Sequence, residues 1–133
     1  MIDAATRQFV RRRAEELCEY CRLPQTAAPY LTFHVEHFRA RQHGGSDDPA
    51  NLCLACPDCN SVKGPNLTAV DPETDAVVPL YNPRSDVWNQ HFSWIGALIV
   101  GDTPQGRATV NLLRFNEPER VRMREELQAR GEM

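Results

Sequence analysis

The spacing of hydrophobic and polar residues changes along the chain, and each spacing predicts a different element. Apolar residues recur between positions 10 and 17 with the period of a helix, and Asp3 precedes them as a good N-cap, so we predict a helix from about residue 3 to residue 17. On its outer face, Arg11 and Arg12 each precede a glutamate by four residues. That spacing is typical of a solvated helix face and argues against a nucleic-acid-binding patch.

Two short apolar segments follow. Residues 30–37 are rich in β-formers, and a second apolar segment runs from Leu52 to Ala55, so both are predicted strands. Residues 41–49, between them, are turn residues throughout. A brief helix is predicted to begin near Cys59 and to end where Gly64 is followed by proline.

The second half of the chain predicts further short elements. In order, they are a hairpin turn at 71–75, a short helix at 85–89, one or two strands within 91–100, a helix from Pro104 to about residue 114 with Thr103 as its cap, and a last helix that begins at 116 or 117 and ends at 131. The last helix is mostly charged, with Glu126 four residues before Arg130, and we expect it on the surface. No linker divides the chain, so residues 1–133 are predicted to form one domain.

The composition of the chain argues against several classes of protein. The 133 residues carry 15 basic and 18 acidic side chains, a formal charge of −3, which argues against a protein that coats nucleic acid. The longest apolar run, residues 94–100, is too short to cross a membrane, and three arginines close to the start exclude a signal peptide, so we expect a cytoplasmic protein. An odd number of cysteines in that compartment favours metal binding over disulfides.

The cysteines are the most informative feature of the composition. They fall into two groups, Cys18 with Cys21, and Cys53 with Cys56 and Cys59. Two Cys-x-x-Cys pairs predict a tetrahedral structural metal site, and zinc is the expected ion. We assign Cys56 and Cys59 to the second pair because Pro57 favours the knuckle turn, which leaves Cys53 as a small buried thiol. An iron–thiolate electron carrier uses the same four sulfurs, and metal analysis would distinguish it.

Polar residues crowd the segment between the two cysteine pairs. Glu36 and the Asn60 carbonyl are oxygen ligands suited to Mg²⁺ or Mn²⁺, and His37 has a pKa range suited to deprotonating water. Lys63 falls on the same helical face as Asn60, where it would meet a phosphate. His34 shares a strand face with Glu36 and is either a further ligand or a structural histidine.

Three further side chains are candidate contacts to phosphate groups, namely Arg39, Arg41 and His43. The charge count supports a local contact of this kind. Residues 1–64 carry equal numbers of basic and acidic side chains, so the whole acidic surplus lies in residues 65–133. We therefore expect any phosphate binding to be weak, salt-sensitive and confined to a few phosphates.

At this point the chain resembles a known family. Glu-His, Gly-Gly, Asn-Leu and Cys-x-x-Cys-Asn-x-x-Lys-Gly, all within residues 18–64, are similar to the HNH endonucleases that have a four-cysteine zinc site and a ββα-metal fold. Residues 79–84, 91–94 and 103–110 also resemble the C-terminal extension of small bacterial members. The chain departs from the family in having Phe38-Arg39-Ala40 where Ile or Val followed by x-Pro is usual, and Glu36 where many members have Asp.

The resemblance implies roles at matching positions. His37 would activate water, Glu36 and Asn60 would hold a catalytic divalent ion, and Asn51 would tie the loop that aims the histidine. We therefore predict an α+β fold with a zinc-stapled, treble-clef-like ββα-metal core at about 18–65, an N-terminal helix and an α/β extension at about 66–133. The predicted function is metal-dependent cleavage of DNA, expected to be double-stranded. The alternative is a non-catalytic zinc module that binds nucleic acid or protein.

Overall fold

Three antiparallel hairpins and five α-helices make up the fold in the computed structural model, which describes all 133 residues. In chain order the elements are α1 Ala4–Arg13, β1 His34–His37, β2 Leu52–Ala55, α2 Pro57–Lys63, β3 Thr68–Val70, β4 Val77–Pro79, α3 Trp88–His91, β5 Phe92–Ile95, β6 Leu98–Gly101, α4 Pro104–Leu112 and α5 Pro118–Ala129. Single 3₁₀ turns lie at Gln25–Ala27, Arg41–His43 and Pro49–Asn51. The predicted α+β class is confirmed.

The first hairpin and α2 form the ββα unit. Strands β1 and β2 pair so that Glu36 lies opposite Cys53 and His37 opposite Leu52. Every residue of β2 is buried, as its continuous apolar sequence predicts. Helix α2 begins directly after β2, because Cys56 caps it and Pro57 occupies its first turn, which is two residues earlier than the sequence suggested.

Helix α1 is shorter than predicted. Asp3 caps it, with its carboxylate accepting from the Thr6 backbone N–H at 2.8 Å. The helix ends at Arg13 because Glu15 and Glu16 adopt left-handed backbone angles, which a helix cannot contain. The four-residue spacing in the run Arg11–Arg13 therefore gives no ion pairs, and Arg11 instead contacts Glu16, five residues later, at 3.4 Å.

The arginines next to the end of α1 have a structural role that the sequence did not reveal. Arg11 donates to the Phe33 carbonyl at 2.6 Å, and Arg13 donates to the Leu52 carbonyl at 2.7 Å. The interpretation of this run as a solvated face is thus wrong for two of its members. These contacts fasten α1 to β2 and to the residue that precedes β1.

In the second half, α4 packs against the hairpins around it. The turn at 71–75 joins the strands of the β3–β4 hairpin, as predicted. Thr103 caps α4, also as predicted. A Cβ atom at Gly101 would overlap the backbone of Arg107, so this glycine allows α4 to lie close to β6. The short helix is Trp88–His91, three residues later than predicted, with Val87 preceding it.

Helix α5 is not a purely surface helix. Arg124 and Leu127 are buried, and Arg124 donates to the Ala97 carbonyl at 2.8 Å. The expected pairing of Glu126 with Arg130 does not form, because Arg130 lies just past the helix end and contacts Glu132 instead. One face of α5 is therefore packed against the rest of the protein, which its mostly charged sequence did not indicate.

Several contacts attach the C-terminal half to the ββα unit. Arg84 forms an ion pair with the buried carboxylate of Glu19, which also accepts from the Leu54 backbone N–H at 2.8 Å. The Trp88 indole N–H donates to the Tyr20 carbonyl at 2.7 Å. One hydrophobic cluster contains side chains from both halves, among them Val10, Leu52, Trp88, Phe92 and Phe115. None of the helices combines the length and the hydropathy that a membrane span needs.

Candidate metal centres and hydrolytic site

Four cysteine side chains converge in the interior. The Sγ atoms of Cys18, Cys21, Cys56 and Cys59 all lie within 4.8 Å of one another, and all four residues are buried. The Sγ atoms of Cys21 and Cys56 are 3.7 Å apart. Sulfurs on a tetrahedral zinc are separated by about 3.8 Å, because each Zn–S bond is about 2.3 Å long. The donor set and its spacing therefore fit a structural zinc ion.

Local backbone structure explains this convergence. In the first knuckle, the Arg22 N–H donates to the Cys18 carbonyl at 2.9 Å, and a left-handed backbone at Arg22 closes the turn. In the second, the Cys59 N–H donates to the Cys56 sulfur at 3.4 Å at the start of α2. Each knuckle is a tight turn that directs its two sulfurs toward the same point in the interior.

Cys53 lies outside this group of four. Its thiol is 3.5 Å from the Tyr20 hydroxyl, and complete burial raises its pKa to about 12. A thiol with such a pKa stays protonated at neutral pH. This environment agrees with the expectation of a small buried thiol.

Glu36 and Asn60 face each other between the first hairpin and α2. One terminal atom of the Asn60 amide is 3.0 Å from both oxygens of the Glu36 carboxylate. If that atom is the nitrogen, the amide donates to the carboxylate. If it is the oxygen, three oxygen atoms face one another, and a cation would be needed to stabilise them.

The second orientation fits a divalent ion. Adjacent ligands of an octahedral Mg²⁺ are about 3 Å apart, because each Mg–O bond is about 2.1 Å long. Glu36 is half-buried, and burial raises its pKa, an effect that the nearby side chains of His34, His37 and Lys63 oppose. A bound cation would stabilise the charged form of this carboxylate.

His37 ends strand β1, and its ring makes one close polar contact. Nε2 is 2.7 Å from the Asp47 Oδ1 atom, and 18% of the side chain is exposed. Asp47 also accepts from Arg41 at 2.9 and 3.1 Å and from the Met1 amino group at 2.9 Å. Asp47 was not among the residues predicted from the sequence, because no spacing rule connects a histidine with a carboxylate ten residues later in a turn-rich loop.

Asn51 closes the loop that joins β1 to β2. Its amide nitrogen donates to the carbonyls of Arg39 and Ser46 at 3.0 and 2.9 Å, and its amide oxygen accepts from the Arg39 N–H at 2.9 Å. A Cβ atom at Gly45 would overlap the Arg39 carbonyl, so only glycine allows this close approach. The two ends of residues 39–51 are thereby held together.

Comparison with protein families agrees with this geometry. Residues 18–66 match the family model described as HNH endonuclease, and the matched segment contains both cysteine pairs, Glu36, His37, Asn51 and Asn60. Residues 18–66, called the HNH segment below, are thus similar to an HNH endonuclease domain. The HNH segment is somewhat more than a third of the chain, and the C-terminal half lies beyond it. No curated protein and no solved structure matches the chain.

Within the HNH segment, Lys63 is not at the surface. It is 4% exposed, and its ammonium donates to the Phe38 carbonyl at 2.7 Å and lies 4.7 Å from the centre of the Phe38 ring. This geometry does not favour the predicted phosphate contact. It ties α2 to the residue that follows His37.

The other candidate phosphate contacts of the HNH segment are exposed. Arg39 donates to the His43 carbonyl at 2.5 Å, and Arg41 contacts Asp47. His43 and His34 are exposed, and His34 begins β1 two residues before Glu36. Their contacts to nucleic acid stay predictions.

One side chain outside the HNH segment reaches the cysteines. The Arg120 guanidinium, on α5, is 3.0 Å from the Cys59 sulfur and 4.0 Å from the Cys56 sulfur. It also donates to the Leu113 carbonyl at 2.6 Å. The positive charge offsets part of the negative charge that four thiolates would bring to zinc. Sequence spacing gave no signal for this contact, because the residues are 61 positions apart.

Proposed function

We propose that this protein is a metal-dependent endonuclease that hydrolyses the phosphodiester bonds of double-stranded DNA. The observation that carries the proposal is the approach of the Asn60 amide to both oxygens of Glu36, the residue before His37. Together these residues offer a cation site and a base. The match of residues 18–66 to the HNH endonuclease model supports the same conclusion.

Each of the three residues has one task in the proposed reaction. Glu36 and Asn60 would hold Mg²⁺ or Mn²⁺, which when bound would supply Lewis-acid stabilisation of negative charge on the phosphate and the leaving oxygen. His37 accepts a proton from the attacking water at the ring nitrogen that does not contact Asp47. The water oxygen bonds to phosphorus, the bond between phosphorus and the 3′ oxygen breaks, and the 3′ oxygen takes a proton from solvent water. The products carry 5′-phosphate and 3′-hydroxyl ends.

The surrounding residues hold this arrangement in place. Asn51 clamps the β1–β2 loop through three hydrogen bonds, and Lys63 connects α2 with the Phe38 carbonyl. A zinc ion on the four cysteines would fix Cys56 and Cys59 at the start of α2, and Cys59 directly precedes Asn60. Such fixed geometry matters because small displacements of a base or ligand cost large factors in rate.

Charge places limits on DNA binding. The formal charge of the chain is −3, and residues 1–64 carry equal numbers of acidic and basic groups. The exposed side chains of Arg39, Arg41 and His43 would contact a few phosphates near the site. Binding is therefore expected to be weak and to fall steeply as salt is added.

Supercoiled plasmid provides a direct assay. Zinc-loaded protein with Mg²⁺ or Mn²⁺ is expected to convert supercoiled plasmid to nicked or linear DNA, and His37→Ala is expected to lower the rate about 10²- to 10⁴-fold. Gln42→Ala, which changes an exposed residue of the same loop, serves as the control and should match wild type. Single-stranded DNA and RNA of the same sequence define the substrate class.

The main alternative function is a zinc module that binds nucleic acid or protein without cleaving it. The four-cysteine centre is compatible with this function as well. It predicts DNA binding that survives chelation of Mg²⁺, and no nicking by wild type above the level of His37→Ala. Zinc in purified protein, without a visible iron chromophore, would exclude the iron–thiolate carrier.

A further inference from the structure

The contact between His37 and Asp47 defines the state of the histidine ring. Asp47 Oδ1 lies 2.7 Å from Nε2, and the same oxygen accepts from Arg41 at 2.9 Å. The other oxygen of Asp47 accepts from Arg41 at 3.1 Å and from the Met1 amino group at 2.9 Å. Every polar neighbour of this carboxylate other than the histidine is a donor with no acceptor capacity.

These neighbours keep Asp47 ionised. The hydrogen bond from His37, followed by those from the Met1 amino group and Arg41, holds the pKa of Asp47 well below its usual range. An ionised carboxylate only accepts hydrogen bonds, so Nε2 must carry the hydrogen. A neutral His37 then has its lone pair on Nδ1.

We propose that Asp47 is a positioning residue, which fixes His37 as the Nε2–H tautomer and orients the ring so that Nδ1 takes the proton from water. The inference rests on the proposed function, because it assigns His37 as the base. It deepens that function by naming the residue that sets the direction of proton transfer. A buried or partly buried carboxylate that holds a histidine tautomer is a recurrent way to orient a general base.

The loop around Asp47 is built to present this carboxylate. Asn51 holds the carbonyl of Ser46, the residue before Asp47, and Asp48 caps the following 3₁₀ turn by accepting from the Ala50 N–H at 2.9 Å. Asp47 is thus fixed on both sides in the sequence. Arg41 also holds the side chain of Asp47, because it donates to both oxygens of the carboxylate.

A set of variants at position 47 tests the inference through rate. With Asp47→Ala, kcat for plasmid nicking is expected to fall about 10- to 100-fold, short of the loss from removing the base itself, while KM does not rise. Asp47→Glu keeps a carboxylate and should recover part of the loss. Glu125→Ala, which removes an exposed acidic charge from α5, is the charge-matched control and should leave kcat at the wild-type value.

Asp47→Asn separates the charge of the carboxylate from its role as an acceptor. Oδ1 of Asp47 accepts from both His37 and Arg41. An amide oxygen in the same place would accept from the same two donors, so the Nε2–H tautomer would be retained. We therefore expect Asp47→Asn to lose less of kcat than Asp47→Ala.

Nuclear magnetic resonance of the ring nitrogens supplies a second measurement that does not depend on cleavage. In full-length, zinc-loaded protein with neutral histidine, His37 is expected as the Nε2–H form in wild type and in Asp47→Asn, and as a mixture of the two tautomers in Asp47→Ala. Unchanged ring shifts and kcat in Asp47→Ala, or a faster rate, would overturn the inference. If wild type and His37→Ala are equally inactive, the proposed nuclease function fails; if only the Asp47 variants behave as wild type, the positioning inference alone fails.

Discussion

The four-cysteine centre and the Glu36–His37–Asn60 site are built from one ββα unit, yet they differ in almost every physical property. The four cysteines are at most 1% exposed, and their four sulfur atoms converge on one point. Glu36, His37 and Asn60 are only partly buried, and their neighbourhood is polar. A structural metal site closes every position, whereas a site for hydrolysis must leave room for water and substrate. Under the proposed function, the cysteines stabilise the fold and the open site carries out the hydrolysis.

Helix α2 couples these two regions. Cys56 caps the helix and Cys59 lies in its first turn, directly before Asn60. We therefore expect a change in the zinc knuckle to displace the open site, and a change in the open site to leave the zinc knuckle in place. Variants in each of the two regions test this one-way dependence.

Loss of a zinc ligand is expected to have the largest effect. Cys18→Ala should abolish stoichiometric zinc and unfold the ββα unit, because zinc contributes about 10–16 kcal/mol to comparable small folds. Cys53→Ala is the matched control, because it removes a buried thiol that is outside the group of four. Metal analysis and thermal unfolding should show one zinc and a Tm within several degrees of wild type for the control. Equal zinc loss in both variants would contradict the ligand assignment.

A change in the β1–β2 loop should separate the two regions in the other direction. Gly45→Ala places a Cβ atom against the Arg39 carbonyl and the Asn51 amide, so the loop must shift. Cleavage is expected to fall on the order of 10²-fold with zinc content unchanged. Gln42→Ala, in the same loop, should cleave at the wild-type rate. A loss of zinc in Gly45→Ala would show that the regions are not separable in this way.

The Arg120 contact links α5 to the zinc centre. Arg120→Gln removes a positive charge 3.0 Å from the Cys59 sulfur, and we expect zinc affinity to fall about 10- to 100-fold. Competition with a chromophoric chelator measures this affinity, and Arg122→Gln, on an exposed face of α5, is the control. If the two variants hold zinc equally, Arg120 has no part in the charge balance of the centre.

The smallest expected effect is a pH dependence remote from both sites. Asp71 is buried and receives two hydrogen bonds from Arg107, at 3.0 and 2.8 Å, which hold its pKa well below the usual value. A lowered pKa means that the stabilising contribution is present above about pH 4 and is lost as the pH falls below it. The difference in Tm between wild type and Asp71→Asn should therefore shrink between about pH 5 and pH 3. Asp75→Asn, at an exposed carboxylate, should show a constant difference, and a constant difference for both would refute the assignment.

Sequence reasoning succeeded where the determinants are local. The Cys-x-x-Cys spacing places two sulfurs by backbone geometry alone, and the apolar run Leu52–Ala55 can only be a buried segment. The α+β class and the clustering of four cysteines were therefore accessible from the sequence. Asp3 and Thr103 were recognised as caps for the same reason, because a cap acts within three residues.

Sequence reasoning failed where contacts are long-range or where packing overrides propensity. Arg120 meets Cys59 across 61 positions, and a mostly charged helix gives no sign of it. The end of α1 depends on left-handed backbone at Glu15 and Glu16, which no helix propensity predicts. Asp47 lies in a loop whose shape is set by side-chain hydrogen bonds, so its contact with His37 required the structure.

The most direct test of the central claim separates two metal requirements in one preparation. Protein that contains one zinc is passed over a chelating resin to strip loosely held ions and is then assayed on supercoiled plasmid with increasing Mg²⁺ or Mn²⁺, with zinc measured at each step. The account predicts no cleavage before the addition, cleavage that rises with the added ion, and constant zinc throughout. Cleavage that is undiminished without added ion, or that follows the zinc content alone, would contradict it.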